Sequence, residues 1–422
     1  MHDFPLPPEW KRIHLDEVAK IQTGLAKGKN GIVDPVDLPY LRVANVQDGF
    51  LDLAEIKTIS VARSEVQRYL LQEGDILLTE GGDFDKLGRG TIWRNELPVC
   101  LHQNHVFVVR AEPSVLDSNF LAYQTASPYG RWYFLSCAKQ TTNLASINST
   151  QLRNFPVLLP PLPEQRQIAA ILGTWDEAIR LTADLIAAKQ QRKKGLMQRL
   201  LSGEVRFPGF EASSKRRKTR YFEMPMDWKL APIGQIARQV NRRNTSQQAL
   251  PVLSCTKHQG LVDSLEYFGR QIFSDDLSTY KIVERGQFAY ATNHIEEGSI
   301  GYQHKYDEAL ISPMYTVFES TGDVDDRYLF RLLKTETYRK IFELSTNASV
   351  NRRGSLRWNE FSHIEVPLPT REEQRRIADV LETCDQELSL LQQKLAALQQ
   401  QKKGLMQQLL TGRVRVKTTD DG

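Results

Sequence analysis

Apolar positions along this chain fall into two rhythms. In the first, Ile168, Leu172, Trp175, Ile179, Thr182, Ile186, Lys189, Lys193, Leu196 and Leu200 recur at alternating spacings of four and three, and Ile377, Leu381, Cys384, Leu388, Leu391, Leu395, Leu398, Lys402, Leu405 and Leu409 do the same. Residues so spaced share one stripe of a helix, so the pattern predicts two long helices able to coil against one another. Pro160, Pro161 and Pro163 precede the first helix, Pro367 and Pro369 the second, and Gly203 and Gly412 mark the ends. At about 1.5 Å per residue the stretch from Glu164 to Leu200 makes a rod of roughly 55 Å. Neither helix can bury its seam alone. Packing the two as an antiparallel coiled coil related by a pseudo-twofold axis is the economical solution.

The second rhythm is shorter. Runs such as "GDILLT", "HVFVVR", "GQFAYAT" and "MYTVFE" read as strands, and "DSNFLAYQTASPYGRWYFLS" and "DDRYLFRLLKTETYRKIFELS" read as helical. The chain is therefore α+β, two mixed blocks each followed by a long helix.

The helices are repeats of one another. Glu164, Gln165 and Arg166 match Glu373, Gln374 and Arg375, and the offset of 209 holds without a gap to Arg206 and Arg415, with more than half the positions identical. "RKKGLMQRLLSG" returns as "QKKGLMQQLLTG". The blocks echo each other only faintly, through Trp10-Lys11 and Trp228-Lys229 and through "ASINSTQLRNFPVLLP" and "GSLRWNEFSHIEVPLP". A tandem duplication in which the helices kept their sequence and the blocks diverged accounts for this. The boundaries read as 1–158 for the first block, 159–203 for the first helix, 204–220 for a basic linker, 221–366 for the second block, 367–412 for the second helix and 413–422 for a tail.

Lysines at seam positions and Gly195 and Gly404 within the helices are costly in a plain coiled coil. KKGLM is then either a slightly irregular coil end or a surface docking a second protein, with Lys193, Lys194, Leu196, Met197 and Leu200 and their counterparts Lys402, Lys403, Leu405, Met406 and Leu409 as the binding residues. Two equivalent surfaces would hold two copies of one partner.

Composition adds little. A chain of 422 residues exceeds one ordinary core. No stretch approaches the roughly 20 apolar residues of a membrane helix, and "MHDFPLPPEW" is no signal peptide, so a cytoplasmic location is expected. Cys100, Cys137, Cys255 and Cys384 show no metal or disulfide spacing and read as packed thiols. The formal charge of +4 permits an anionic partner without demanding one. "SSKRRKTR" carries Lys215, Arg216, Arg217, Lys218 and Arg220, a solvated linker or a phosphate contact.

The order of parts, the helix starts "LPPLPEQRQIAAIL" and "PLPTREEQRRIADVL", and the paired KKGLMQ-x-LL-x-G endings resemble the specificity (S) subunit of Type I restriction-modification enzymes. That resemblance covers essentially the whole chain. It implies two target recognition domains, each reading one half of a split sequence in double-stranded DNA, held apart by spacer helices that fix the distance between half-sites. The helices would bind two modification (methyltransferase) subunits, to which restriction (endonuclease and translocase) subunits add. S-adenosylmethionine, Mg and ATP would belong to those partners, with no cofactor or metal in this chain. The other reading is a non-catalytic coiled-coil adaptor joining two protein-binding domains.

Catalytic motifs are wanting. "DLPY" and "SPMY" each lack one proline of an amino-methyltransferase motif, and "GLAKGKN" falls one residue short of a P-loop with Asn30 at the Ser/Thr position. "HQNH" shows no third metal ligand, and "EIK" lacks an upstream Pro-Asp pair. For base and phosphate contacts, Arg or Lys suits guanine and Asn or Gln suits adenine. The candidates are Lys27, Lys29, Asn30, Lys86 and Arg89 in the first block. In the second they are Arg242, Arg243, Asn244, Lys257, His258, Asn293, His294, Arg352 and Arg353. Neighbouring glycines would let backbone approach phosphate.

Overall fold

Both seams are helical in the computed structural model, described for residues 5–28, 31–82, 87–140, 145–211, 215–346 and 355–417. The first long helix runs Leu162–Leu201 and the second Arg371–Leu409. Every predicted seam residue is buried or half-buried, Lys189, Lys193 and Lys402 included. Gly203 and Gly412, at φ +64° and +70°, end the helices in the left-handed conformation. The Glu204 N–H then reaches back to the Arg199 carbonyl at 2.9 Å and that of Val414 to Gln408 at 3.3 Å, satisfying carbonyls of the last turn.

The compact units do not follow the order of segments along the chain. One unit comprises Met1–Asp184 with Gln392–Gly422, the other Leu185–Leu391, so each long helix gives its first half to one unit and its second half to the other. In the first unit Lys402 pairs with Asp176 and Arg415 with Glu164, so the two half-helices run antiparallel. The second unit does the same through Lys189 with Glu387, Lys193 with Asp385, and Arg206 with Glu373. One core joins Trp10, Ile168 and Leu172 to Met406, Leu409 and Leu410. The other joins Trp228, Ile377 and Leu381 to Leu200 and Leu201. The apolar ends of KKGLM-x-x-LL therefore fill the core of a block that their own helix does not follow.

The diverged blocks share one sheet with its strand order and a pairing of their end strands, while their other strands pair differently. In the first, a four-stranded antiparallel sheet runs Ala19–Thr23, Val106–Ala111, Ile76–Thr79, Gly90–Ile92; in the second the order is Ala237–Val240, Tyr315–Ser320, Phe288–Ala291, Ile300–Tyr302. The apolar runs of the sequence supply the central strands, buried on both faces, which is why they lack a clean alternation. Lys11–His14 pairs with Pro156–Leu159, and Lys229–Pro232 with Glu365–Leu368, so each block's ends meet just before its helix departs. Each helical stretch is a pair of helices, broken at Ser127 and Thr335, whose hydroxyls cap the second helix. Asp117 and Asp325 cap the first helices, and their own N–H groups donate to Gln165 and Gln374, both at 2.8 Å. The Glu-Gln pair that opens each long helix is thus buried structure.

Candidate nucleic-acid interface and helix-end motif

Each unit closes around a buried glutamate at the start of a long helix. Glu164 accepts from the Trp10 indole at 3.1 Å and from Arg415 at 2.6 and 2.9 Å. Glu373 accepts from Trp228 at 3.2 Å and from Arg206 at 2.8 Å through both guanidinium arms. Arg415 also reaches Glu9, and Arg206 reaches Asp227, the acid preceding each tryptophan. These bonds, to Glu373 and to Glu164 first, hold both guanidinium groups above their usual range. A Cβ at Gly203 would stand 2.5 Å from Pro225, and one at Gly412 2.6 Å from Pro7. Glycine is required there twice over, by φ and by the proline of the block that the helix end meets.

KKGLM is therefore divided between two faces. Leu200, Met406 and Leu409 are core, Leu196, Met197 and Leu405 pack against it, and Lys193 and Lys402 are held by Asp385 and Asp176. The surface face holds Lys194 and Lys403. Lys194 and Met197 border a groove of about 880 Å³ floored by Phe222, Met224, Tyr338 and Ile341. The basic run has a role that neither of its two readings included. Arg216–Lys218 is a strand paired with Glu223–Pro225, and the Arg216 guanidinium donates to the carbonyls of Gly203 at 2.8 Å and Ser202 at 3.0 Å. It caps the end of the first long helix.

Among the DNA-contact candidates, Lys27 is exposed, beside Gly28 at φ +81° with open space around it. Gly24 serves packing instead: a Cβ there would meet the His102 carbonyl at 2.1 Å. Lys29, Asn30, Lys86, Arg352 and Arg353 lie outside the described residues. Arg89 is half-buried and turned inward, donating to Gln47 at 3.1 Å and the Val43 carbonyl at 3.2 Å. It braces the 42–55 loop, which is organised on the buried Asn45, whose amide donates to the carbonyls of Asp52 at 2.8 Å and Glu55 at 3.0 Å. Phe50, 59% exposed, stands on that loop, a residue the search for basic and amide side chains passed over.

In the second block Arg242 and Arg243 are exposed, and Arg242 pairs with Glu284 and Glu308. Asn244 is fully buried, donating to the Gln248 carbonyl and accepting from the Gln248 N–H, so its amide is spent on a turn and is withdrawn from base reading. Lys257 and His258 stand exposed at the tip joining Leu253–Thr256 to Gly260–Asp263. Asn293 and His294 are half-buried in the turn after Phe288–Ala291. The structure brings these two places together, because one amine, that of Lys334, donates to the carbonyls of Lys257 and Gly298.

His102 is buried, its Nδ1 2.8 Å from the Val106 carbonyl, and burial pushes its pKa down to about 4; His105 pairs with Glu80. His294, Glu296 and Glu297 place ligand atoms within 4.8 Å of one another, but His294 already faces Glu297 at 3.4 Å. All four cysteines are free, and burial raises Cys100 and Cys255 to about 12, away from thiolate reactivity. No helix among the described residues is long and apolar enough to cross a membrane.

Comparison with known proteins follows the same lines. The family model for the Type I restriction modification DNA specificity domain matches twice, over residues 7–189 and 227–400. The type I restriction enzyme MjaVIII specificity subunit of Methanocaldococcus jannaschii is 25% identical, covering 99% of this chain and 96% of its own. The EcoKI specificity subunit of Escherichia coli is 26% identical over 38% of this chain and 34% of its own. A chain from a study of complex assembly and conformational transition of the type I R-M system superposes with a TM-score of 0.59 at 17% identity, over 97% of this chain and all of that one. The HsdS subunit from Thermoanaerobacter tengcongensis gives 0.53, also at 17% identity, over 98% of this chain and 99% of its own. At that identity the likeness concerns the fold.

Proposed function

The chain belongs to the family of Type I restriction-modification DNA specificity proteins and is a DNA sequence-recognition subunit; on that footing we propose that its two blocks are target recognition domains, each reading one half of a bipartite site with a fixed spacer. What supports this is a single feature of the structure: two blocks built on the same four-stranded sheet with unequal sequence, each closed by halves of both long helices. The shared sheet presents two readers equivalently, and unequal sequence lets them read different bases. The two helices act as an antiparallel coiled coil whose length sets the spacer. Exposed Lys27, Arg242, Arg243, Lys257 and His258, with Asn293 and His294, supply phosphate and base contacts on double-stranded DNA, and binding weakens steeply with salt as counterions are released.

Two modification subunits dock on the surface faces of the helix-end motifs, through Lys194 and Lys403 and the apolar border beside them, and restriction subunits add to that complex. Methyl transfer and cleavage, with their S-adenosylmethionine, Mg and ATP, belong to those partners, and the assembly works in the cytoplasm. Leu196 and Leu405 are poor probes of docking, since charge placed there strikes the cores. Replacing both Lys194 and Lys403 by Glu is the better test and is expected to abolish co-purification of the modification subunits while the melting temperature holds. Retained co-purification would overturn this docking face.

The function itself is tested by sequencing methylated bases in DNA from a methylation-free host that expresses this chain with its modification subunit. The expected result is a bipartite motif that changes in one half when either block is exchanged. Methylation that ignores such exchanges would return the chain to the adaptor reading.

A further inference from the structure

Lys334 sits at the end of the helix Asp326–Leu333, beneath the two loops that carry four of the second block's exposed or half-exposed reading candidates. Its amine donates at 2.7 Å to the carbonyl of Lys257, on the hairpin tip, and at 2.7 Å to that of Gly298, which closes the turn containing His294. The loops also run close together: a Cβ on Gly298, at φ +96°, would lie 3.4 Å from the same Lys257 carbonyl. Arg339 adds a third tie, its Nε donating to the Glu296 carbonyl at 3.3 Å. Both cations come from the helical layer; the two bonds of Lys334 go to loop backbone, while Arg339 also pairs with Glu336 at 2.7 Å.

We propose that Lys334 is a positioning residue for sequence readout: by joining the 257–258 tip to the 293–298 turn it fixes the spacing at which the second block offers side chains to bases. This deepens the DNA-recognition reading and rests on it. The physical case is that a base contact discriminates only when its side chain arrives in register, and charge-assisted bonds from one ammonium to two carbonyls remove the freedom of each loop to move without the other. Burial lowers the Lys334 pKa below the usual lysine range, a cost the fold bears for those two bonds. In the first block Arg89 ties Val43 and Gln47 of a single loop, and that block's half-site serves as an internal control in the same chain.

The test compares Lys334→Met and Lys334→Arg with the unaltered chain, each co-expressed with its modification subunit and read by methylation sequencing after block exchange has assigned the half-sites. Loosening the loops weakens the kind of contact by which side chains discriminate bases, so selectivity in the second block's half-site is expected to fall about tenfold. The other half-site and the spacer should stay unchanged. Lys334→Arg, which keeps the charge and the donors, should restore most of the loss. Undiminished selectivity in Lys334→Met, or equal loss in both half-sites, overturns the proposal. Should Lys334→Met fail to assemble, Lys334→Gln, which keeps a donor of shorter reach, is judged on the same two half-sites. If the unaltered chain gives no bipartite motif, the recognition reading itself has failed, a result distinct from any of these.

Discussion

The two units hold equivalent helix aspartates from their blocks by different means. Asp176 accepts from the Tyr123 hydroxyl at 2.7 Å, whereas Asp385 pairs with Arg331 at 2.7 Å. Nearby, Arg327 reaches Asp379 and Glu382, both at 2.8 Å, where the first long helix has Ala170 and Gly173. Beyond the indole–glutamate and amide–glutamine bonds that both blocks make to their helices, the first block adds a phenol and the second adds guanidinium groups. What both keep is the pairing between the two repeats: Lys402 with Asp176, Lys193 with Asp385, and, from just past the helix ends, Arg415 with Glu164 and Arg206 with Glu373. Helix residues serve a partner from the other repeat, so a change in one copy must be matched in the other. The block residues that hold these aspartates, Tyr123 and Arg331, pair with the long helix that follows their own block, and there the two copies have diverged.

The largest difference should come from the buried glutamates. Glu373→Ala leaves Arg206, whose side chain is 7% exposed, without its main partner, and losing one member of a buried pair costs about 3–5 kcal/mol. In Glu164→Ala the released Arg415, 39% exposed, can turn to water, so calorimetric unfolding should show a clearly smaller loss. Equal losses would break the comparison.

Acid should act next, through a histidine buried in the first unit. His102, 1% exposed, titrates near 4 when folded against an ordinary 6.5, so between those values the unfolded chain binds more protons. Stability is therefore lost as pH falls from about 6.5 to 4, by up to about 3 kcal/mol. Among the described residues the second block buries no histidine. His102→Gln should flatten this acid limb, as followed by melting at stepped pH.

The smallest effects concern the docking contacts themselves. Tyr123→Phe should cost about 1 kcal/mol, one hydrogen bond, with little dependence on salt. Arg327→Met should cost under about 1 kcal/mol, a deficit that fades as salt screens its exposed carboxylate partners. Denaturant midpoints at low and high salt separate the two.

The sequence by itself determined the two long helices, their proline entries and glycine ends, the mixed blocks and the duplication. Those rest on signals within a turn or two of each residue: a period of 3.5, a fixed φ, an apolar run. Only the tertiary structure decided which half-helix completes which block. It also made Lys193 and Lys402 into struts, Arg216 into a helix cap, and turned Arg89 and Asn244 inward from the surface where base reading needed them. The partners that settle these roles can lie far off in the chain, as Glu164 does from Arg415 across 251 residues, and a side chain's type and local spacing carry no record of them.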